Sequence, residues 1–286
     1  MKIIKYFFEF LFIIIFFIIF KIIGYKNASN LGKVIGKNLG PFFRYNYKIQ
    51  KNLENSNIGD TDKDRKKIIK NMWGNYGRIF AEYMYIKKYR QNDLSNNIKI
   101  VGQNILEEIK SNKKPVIFIS GHFNNFELMA MHLEKSGIDL AAIYRPLNNK
   151  FLNPIMEKIR KKYICKKQIK KGISGTKEIL KSFKKGTSIA LMIDQRVSEG
   201  ISCNFFNKKA LTTTIPGQFI KKFNCKVVPI YIERINVYQF RLEIFNPIEF
   251  SKNENIENIT SHLNKVIEEM IKKNPEQWIW THNRWK

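Results

Sequence analysis

The chain has 286 residues, 44% of them apolar, which is enough for one large domain or two small ones around a sizeable core. Its 51 basic residues outnumber 24 acidic ones, for a net charge of +27. That balance implies an acidic partner: nucleic acid, an anionic membrane, a phosphorylated substrate or an acidic protein. Three cysteines, Cys165, Cys203 and Cys225, without a CxxC spacing, exclude a disulfide framework and fit a reducing compartment.

The chain opens on its most apolar stretch. Residues 10–20 are uninterrupted Phe, Leu and Ile, and the run widens to 3–23 at the cost of Lys5, Glu9 and Lys21. A bilayer-crossing helix needs about 20 mainly apolar residues, so this is a marginal spanner whose terminal lysines can snorkel. A cleaved signal peptide is the rival reading, but no small-residue cleavage site follows. A retained membrane anchor is favoured, with a helix lying in the interface as the third reading. Lys21, Lys26, Lys33, Lys37, Arg44, Lys48 and Lys51 crowd the far side, which keeps the rest of the chain cytoplasmic by the positive-inside rule.

Residues 25–110 read as mostly helical. Pro41 marks a break after a Gly-rich apolar helix. Thr61 or Asp64 caps the next helix, which carries Ile69, Met72, Trp73, Tyr76, Phe80 and Tyr83 at helical spacing. A short strand is expected at 98–101 and a helix near 104–111. From residue 115 strands and helices alternate, the pattern of an α/β fold with a mixed, largely parallel sheet flanked by helices. Strands are expected at 116–119, 140–144, 188–193, 226–233 and 240–245. Helices are expected from Asn124 or Asn125, and over 149–163, 174–183, 212–223 and 256–271, the last ended by Lys272, Lys273 and Pro275. The aromatic tail 278–286 should pack back on the domain.

Three successive strand ends carry chemistry: His122 with Glu127 close behind, then Arg145, then Asp194. In open α/β sheets ligands bind outside the carboxyl ends of the strands. Across a strand-to-helix turn, a base and a carboxylate five residues apart can come within hydrogen-bond reach. His122 oriented by Glu127 would be a general base for a hydroxyl or water. Arg145 and Arg160 are candidates to hold phosphate, while Asp194 competes with a plain role as a turn cap. His132, His262 and His282 lack metal-ligand spacing, and no metal or cofactor is expected. A nucleic-acid-binding protein would account for the charge but lacks a recognisable module. A serine hydrolase would need a Gly-x-Ser-x-Gly elbow, which is absent from the sequence.

The segment Gly-His-Phe-Asn-Asn-Phe-Glu (121–127) resembles the His-x4-Asp/Glu motif of glycerolipid acyltransferases. The ordered set that follows is similar to the lauroyl/myristoyl acyltransferases of lipid A biosynthesis: Tyr144-Arg145-Pro146, Asp194-Gln195, residues 210–214, Val227-Val228-Pro229 and the closing 275–286. Between His and the acid this chain has Phe-Asn-Asn-Phe where many members have Gly-Asn-Trp or similar. The resemblance implies a glycerolipid acyltransferase-like fold, with an N-terminal anchor at 1–24 and an acyltransferase domain at 25–286, mainly helical to 110 and catalytic from 111. It implies transfer of an acyl chain from acyl carrier protein to a hydroxyl of a lipid A precursor at the cytoplasmic face of the bacterial inner membrane, with no nucleic-acid partner. His122 would be the base and Glu127 its orienter; Arg145, Arg160 and Asp194 would line the acceptor and thioester site. Another lipid acceptor, such as a lysophospholipid, an amino lipid or a glycolipid, is the alternative.

Overall fold

Short apolar runs bounded by turn residues become the strands, and amphipathic stretches become the helices that cover them. The computed structural model describes residues 2–286. Five helices come first: α1 (Lys2–Ile23), α2 (Tyr25–Phe43), α3 (Asn46–Asn55), α4 (Asp62–Glu82) and α5 (Ile86–Arg90). There follow β1 (Ile98–Val101), α6 (Gln103–Asn112), β2 (Ile117–Ser120), α7 (Glu127–Lys135), β3 (Leu140–Tyr144), α8 (Leu152–Ile159) and β4 (Lys167–Lys170). The chain continues through α9 (Ile173–Lys184), β5 (Ser188–Met192), the hairpin β6 (Ile201–Phe205) and β7 (Lys208–Thr212), and α10 (Ile215–Phe223). It closes with β8 (Val227–Arg234), β9 (Phe240–Ile244) and α11 (Ile256–Lys273).

Seven strands form one sheet in the order β1-β9-β8-β2-β5-β3-β4. Only the β8–β9 pairing is antiparallel. The fold is the expected mixed α/β sheet flanked by helices. Its central strands are buried on both faces, every residue of β2 and β8 being buried, as parallel sheets require. Because β2, β3, β4 and β5 run in parallel, their carboxyl ends lie along one edge. His122, Arg145, Lys171 and Asp194 leave the sheet there.

Several boundaries differ from expectation for identifiable reasons. The break expected at Pro41 falls after Phe43, where Arg44 turns extended (φ −150°, ψ 126°). The helix expected from Asn124 or Asn125 begins at Glu127. Asn124 sits in the left-handed region (φ 37°), and its side chain is spent on Gln277 of the tail rather than on a cap. Thr61 does cap α4, in a reciprocal box with Asp64. The β6–β7 hairpin was not expected. Its turn, Phe206-Asn207, has positive φ at both residues (51° and 58°), the geometry of a type I′ turn without the Asn-Gly signal. Nor was β4, an edge strand whose one buried residue is Ile169. The helix expected to run to Tyr163 ends its α-helical part at Ile159 and widens into a π-helical turn, Arg160–Ile164, closed by Cys165 N–H donating to the Arg160 carbonyl at 3.0 Å.

Helices α2 and α4 pack at backbone contact. Gly32, Gly36 and Gly40 of α2 face Trp73, Gly77 and Ala81 of α4, and a Cβ on Gly32, Gly36 or Gly77 would run into the opposite backbone. Behind this seam lies a buried polar network. Arg78 donates to the Ser29 hydroxyl, and Ser29 donates to Glu82. Glu82 pairs with Arg234 of β8 at 2.7 Å, both side chains being almost fully buried. Arg234 also reaches Asn124, two residues past His122. The helical layer is thereby keyed to the turn that carries the site.

Helix α1 is the one described helix long and apolar enough to cross a membrane. It touches the body at both ends. Phe7 and Phe10 contact Phe151, and the Tyr6 carbonyl accepts from Asn149. Phe17 and Phe20 pack on Phe80. Its outward face, from Ile3 to Ile22, is exposed Ile, Leu and Phe.

Removing one partner of a buried ion pair leaves an uncompensated charge, at a cost of about 3–5 kcal/mol. Glu82→Ala should therefore lower unfolding stability by about that much. Adding Arg234→Met should recover part of the loss, as read by denaturant unfolding in detergent. A Glu82→Ala protein as stable as the parent would show that the network does not hold the layers together.

Candidate active site

Residue 122 stands opposite residue 194 for a reason of register. Strands β2 and β5 are paired in parallel with Ser120 beside Met192. Two residues further along each chain come His122 and Asp194. Gly121 lets them close up: a Cβ there would sit 2.8 Å from the Phe123 ring and 3.3 Å from the Asp194 Cβ.

Asp194 is sealed from solvent and accepts three hydrogen bonds. The His122 backbone N–H donates to Oδ2 at 2.9 Å and the Trp278 indole N–H to the same oxygen at 2.7 Å. His122 Nδ1 lies 2.8 Å from Oδ1. Burial alone would raise this carboxyl's pKa, but the charge and hydrogen bonds of His122, with help from Trp278, outweigh it and hold the pKa below its ordinary value. A carboxylate acceptor at Nδ1 assigns the proton to that nitrogen. Nε2 is left as a lone-pair acceptor on a ring that is 21% exposed.

The orienter expected for His122 was Glu127, and here the structure corrects the reading. Glu127 Oε1 instead accepts from Arg160 Nε at 2.8 Å and Nη2 at 2.7 Å. The cause is the late start of α7: as its first residue, Glu127 faces the π-helical turn that begins with Arg160. The Phe126 ring stands edge-on to the imidazole, 5.0 Å between centroids. Asp194, expected at the substrate, is instead wholly enclosed behind His122. Burial disfavours charge on Arg160, yet the adjacent Glu127 carboxylate outweighs it and its pKa is raised.

A cleft of about 270 Å³ opens over this edge, and His122, Glu127, Arg145 and Arg160 all line it. Arg145 is exposed and has no ion-pair partner among the described residues. It stands next to Lys171, since Tyr144 of β3 is in register with Lys170 of β4. The deeper wall is apolar: Ala130, Ala142, Ile164, Leu191, Met192 and Ile215. So the cleft combines an imidazole, cations at its rim and an apolar interior. Sequence reasoning missed Trp278 and Lys171 as parts of this site. The tail's aromatic density was the available signal for Trp278. His282 accepts the Arg196 N–H and is buried enough to lower its pKa to about 4. His132 pairs with Gln103 away from the cleft.

The depressed pKa of Asp194 has a consequence for stability. Its contribution is fully present above the ordinary carboxyl value of 3.8 and is lost as pH falls through the lower folded value. A profile of unfolding free energy against pH should have a shallower acid limb in Asp194→Asn. An unchanged acid limb would mean that this carboxylate does not carry the linkage.

The chain is similar to known proteins. Over 269 residues the chain is 23% identical to the lipid A biosynthesis lauroyltransferase of Escherichia coli (strain K12), covering 92% of this chain and 86% of that one. It is 24% identical over 264 residues to the palmitoleoyltransferase of the same organism, covering 90% and 84%. A match at 24% to lipid A biosynthesis acyltransferase 2 of Shigella flexneri covers 63% of this chain and spans only 58% of that protein's length. The family model described as bacterial lipid A biosynthesis acyltransferase matches residues 1–286, and the chain belongs to that family.

Proposed function

We propose that the protein transfers a fatty acyl chain from acyl carrier protein to a hydroxyl of a lipid A precursor, with His122 as general base. The observation that carries this reading is the imidazole fixed by a buried carboxylate at the mouth of a cleft with an apolar interior. His122 Nε2 takes the proton of the acceptor hydroxyl as its oxygen attacks the thioester carbonyl. Asp194 holds the tautomer and stabilises the imidazolium. The tetrahedral intermediate then collapses to the ester, and the departing thiolate recovers the proton from His122. Glu127 acts through Arg160, whose Nη1 is uncommitted among the described residues and can donate to the oxyanion. Arg145 and Lys171 at the rim suit the phosphate of the donor's prosthetic arm.

The acidic donor is supported by the exposed lysines that follow the cleft wall: Lys158, Lys161, Lys162, Lys166, Lys167 and Lys170. Residues 1–24 act as the membrane anchor and 25–286 as the catalytic unit, at the cytoplasmic face of the inner membrane. Contacts at both ends of α1 support a helix held along the body, with its apolar face in lipid.

General-base help is worth about 10²–10⁴-fold. His122→Ala and Asp194→Asn should each lower kcat by at least about 10²-fold, and the double variant should be little worse than either. Glu127→Gln should also lower kcat, and it should do so additively with Asp194→Asn, because the two carboxylates serve different partners. A folded His122→Ala enzyme with near-normal turnover in detergent would overturn the mechanism.

Exposed charges are screened within about 8 Å at physiological salt. The KM for acyl carrier protein carrying the chain should rise with salt more steeply than the KM for the same chain on coenzyme A. Equal slopes would remove the charge argument for the donor.

A further inference from the structure

A second cleft, of about 490 Å³, shares Gln195 with the first. It lies between the end of α2, the Trp73–Tyr76 face of α4 and the C-terminal tail. Arg44, Tyr76 and Gln195 all line this space. The Arg44 Nε–H is shut away from water with no acceptor among the described residues, and no carboxylate there pairs with its guanidinium. The Tyr76 hydroxyl is likewise buried, with Thr281 of the tail as its neighbour. Burial, against the opposing pull of Thr281 and with some help from the Asp194 carboxylate, raises its pKa and keeps that hydroxyl protonated, so it can donate. Gln195, the residue after Asp194, is half-buried and lines both clefts. A buried guanidinium N–H without an acceptor is costly in a finished protein, and Arg44 with the Tyr76 hydroxyl and the Gln195 amide beside it describes a site for an oxygen-rich anion.

The rim points to where that anion comes from. Phe42 and Phe43 are 86% and 80% exposed, more than any other large apolar side chain. Beyond Arg44, Tyr45 and Tyr47 stack at 5.9 Å with Lys48 over both rings. Exposed aromatics with a snorkelling lysine are the composition of a membrane–water interface. A soluble ligand would not require such a lip.

We infer that this second cleft is the acceptor subsite: it takes a phosphate-bearing saccharide headgroup drawn from the bilayer over the Phe42–Lys48 lip. Arg44 binds the phosphate, Tyr76 and Gln195 donate to the sugar oxygens, and the shared position of Gln195 delivers the acceptor hydroxyl to His122. The acyl donor keeps the first cleft. The assignment rests on the proposed acyl transfer for its kinetics, but not for its binding test.

The test uses the full chain in detergent with a bisphosphorylated glucosamine disaccharide lipid as acceptor. Arg44→Gln should raise the acceptor KM about 10- to 100-fold, the range of a hydrogen bond to a charged group. The effect should fall on acceptor KM rather than on donor KM. Arg44→Lys should restore part, having charge but no fork. With the monophosphorylated or dephosphorylated acceptor the difference between parent and Arg44→Gln should shrink. A second arm needs no turnover: co-sedimentation with phosphatidylcholine vesicles, plain or doped with the same acceptor or with phosphatidylglycerol. Arg44→Gln should weaken binding to acceptor-doped vesicles alone. Phe42→Ser/Phe43→Ser, altering only exposed side chains, should weaken binding to all three. Equal weakening on phosphatidylglycerol would make Arg44 a reader of surface charge and overturn the subsite. So would an unchanged acceptor KM in a folded Arg44→Gln enzyme. Parent protein that binds the acceptor yet transfers no acyl chain would instead count against the proposed reaction and leave the subsite standing.

Discussion

A carboxylate removed from water must find donors or lose its charge, and Asp194 is given three. Those donors come from distant parts of the chain: the backbone and ring of His122 after β2, and the indole of Trp278 in the tail. One buried oxygen pair thus ties two neighbouring strands to the C-terminal segment. The same contact decides which nitrogen of His122 faces the cleft. Under the proposed reaction, stability and chemistry therefore both depend on one interaction, whose carboxylate is sealed from water.

The second buried network makes the first possible. Asn124 lies in the left-handed region, a conformation that needs support in a residue with a Cβ. It is held by Gln277 of the tail and by Arg234, itself fixed by Glu82 of α4. The glycine seam of α2 and α4 lets the helical layer approach closely enough for Ser29 and Arg78 to complete that network. Thus the small residues near the start of the chain bear on the turn at residues 121–126, though none of them approaches the cleft.

Much of this was legible in the sequence, and the omissions have physical causes. Apolar runs ending in His122, Arg145 and Asp194 announced one functional edge, because a parallel sheet puts successive carboxyl ends together. What periodicity cannot supply is strand order and register. Asp194 opposes His122 only because β5 lies beside β2 with Met192 at the level of Ser120; the nearer carboxylate in sequence, Glu127, was the natural choice without that knowledge. The π-helical turn was equally invisible, since one extra residue per turn leaves little trace in a pattern of apolar spacing. Edge strand β4 is too polar to read as a strand, and the β6–β7 turn lacks its usual residues.

The basic excess is best understood by asking which cations are already spoken for. Arg78, Arg234 and Arg284 are consumed inside the protein, by Ser29, by Glu82 and by the Thr212 hydroxyl respectively. Arg160 is half consumed, by Glu127. Among the rest are Lys161, Lys162 and Lys166, exposed in the segment after α8, Arg145 with Lys171 at the first cleft, and Arg44 at the second. A transferase must bring two anionic substrates to one imidazole without letting either occupy the other's place. Under the proposed reaction, uncommitted cations at two openings, with the ring of His122 close to where they meet, would meet that requirement through charge position rather than through net charge. The same +27 spread evenly over the surface would attract both substrates and sort neither.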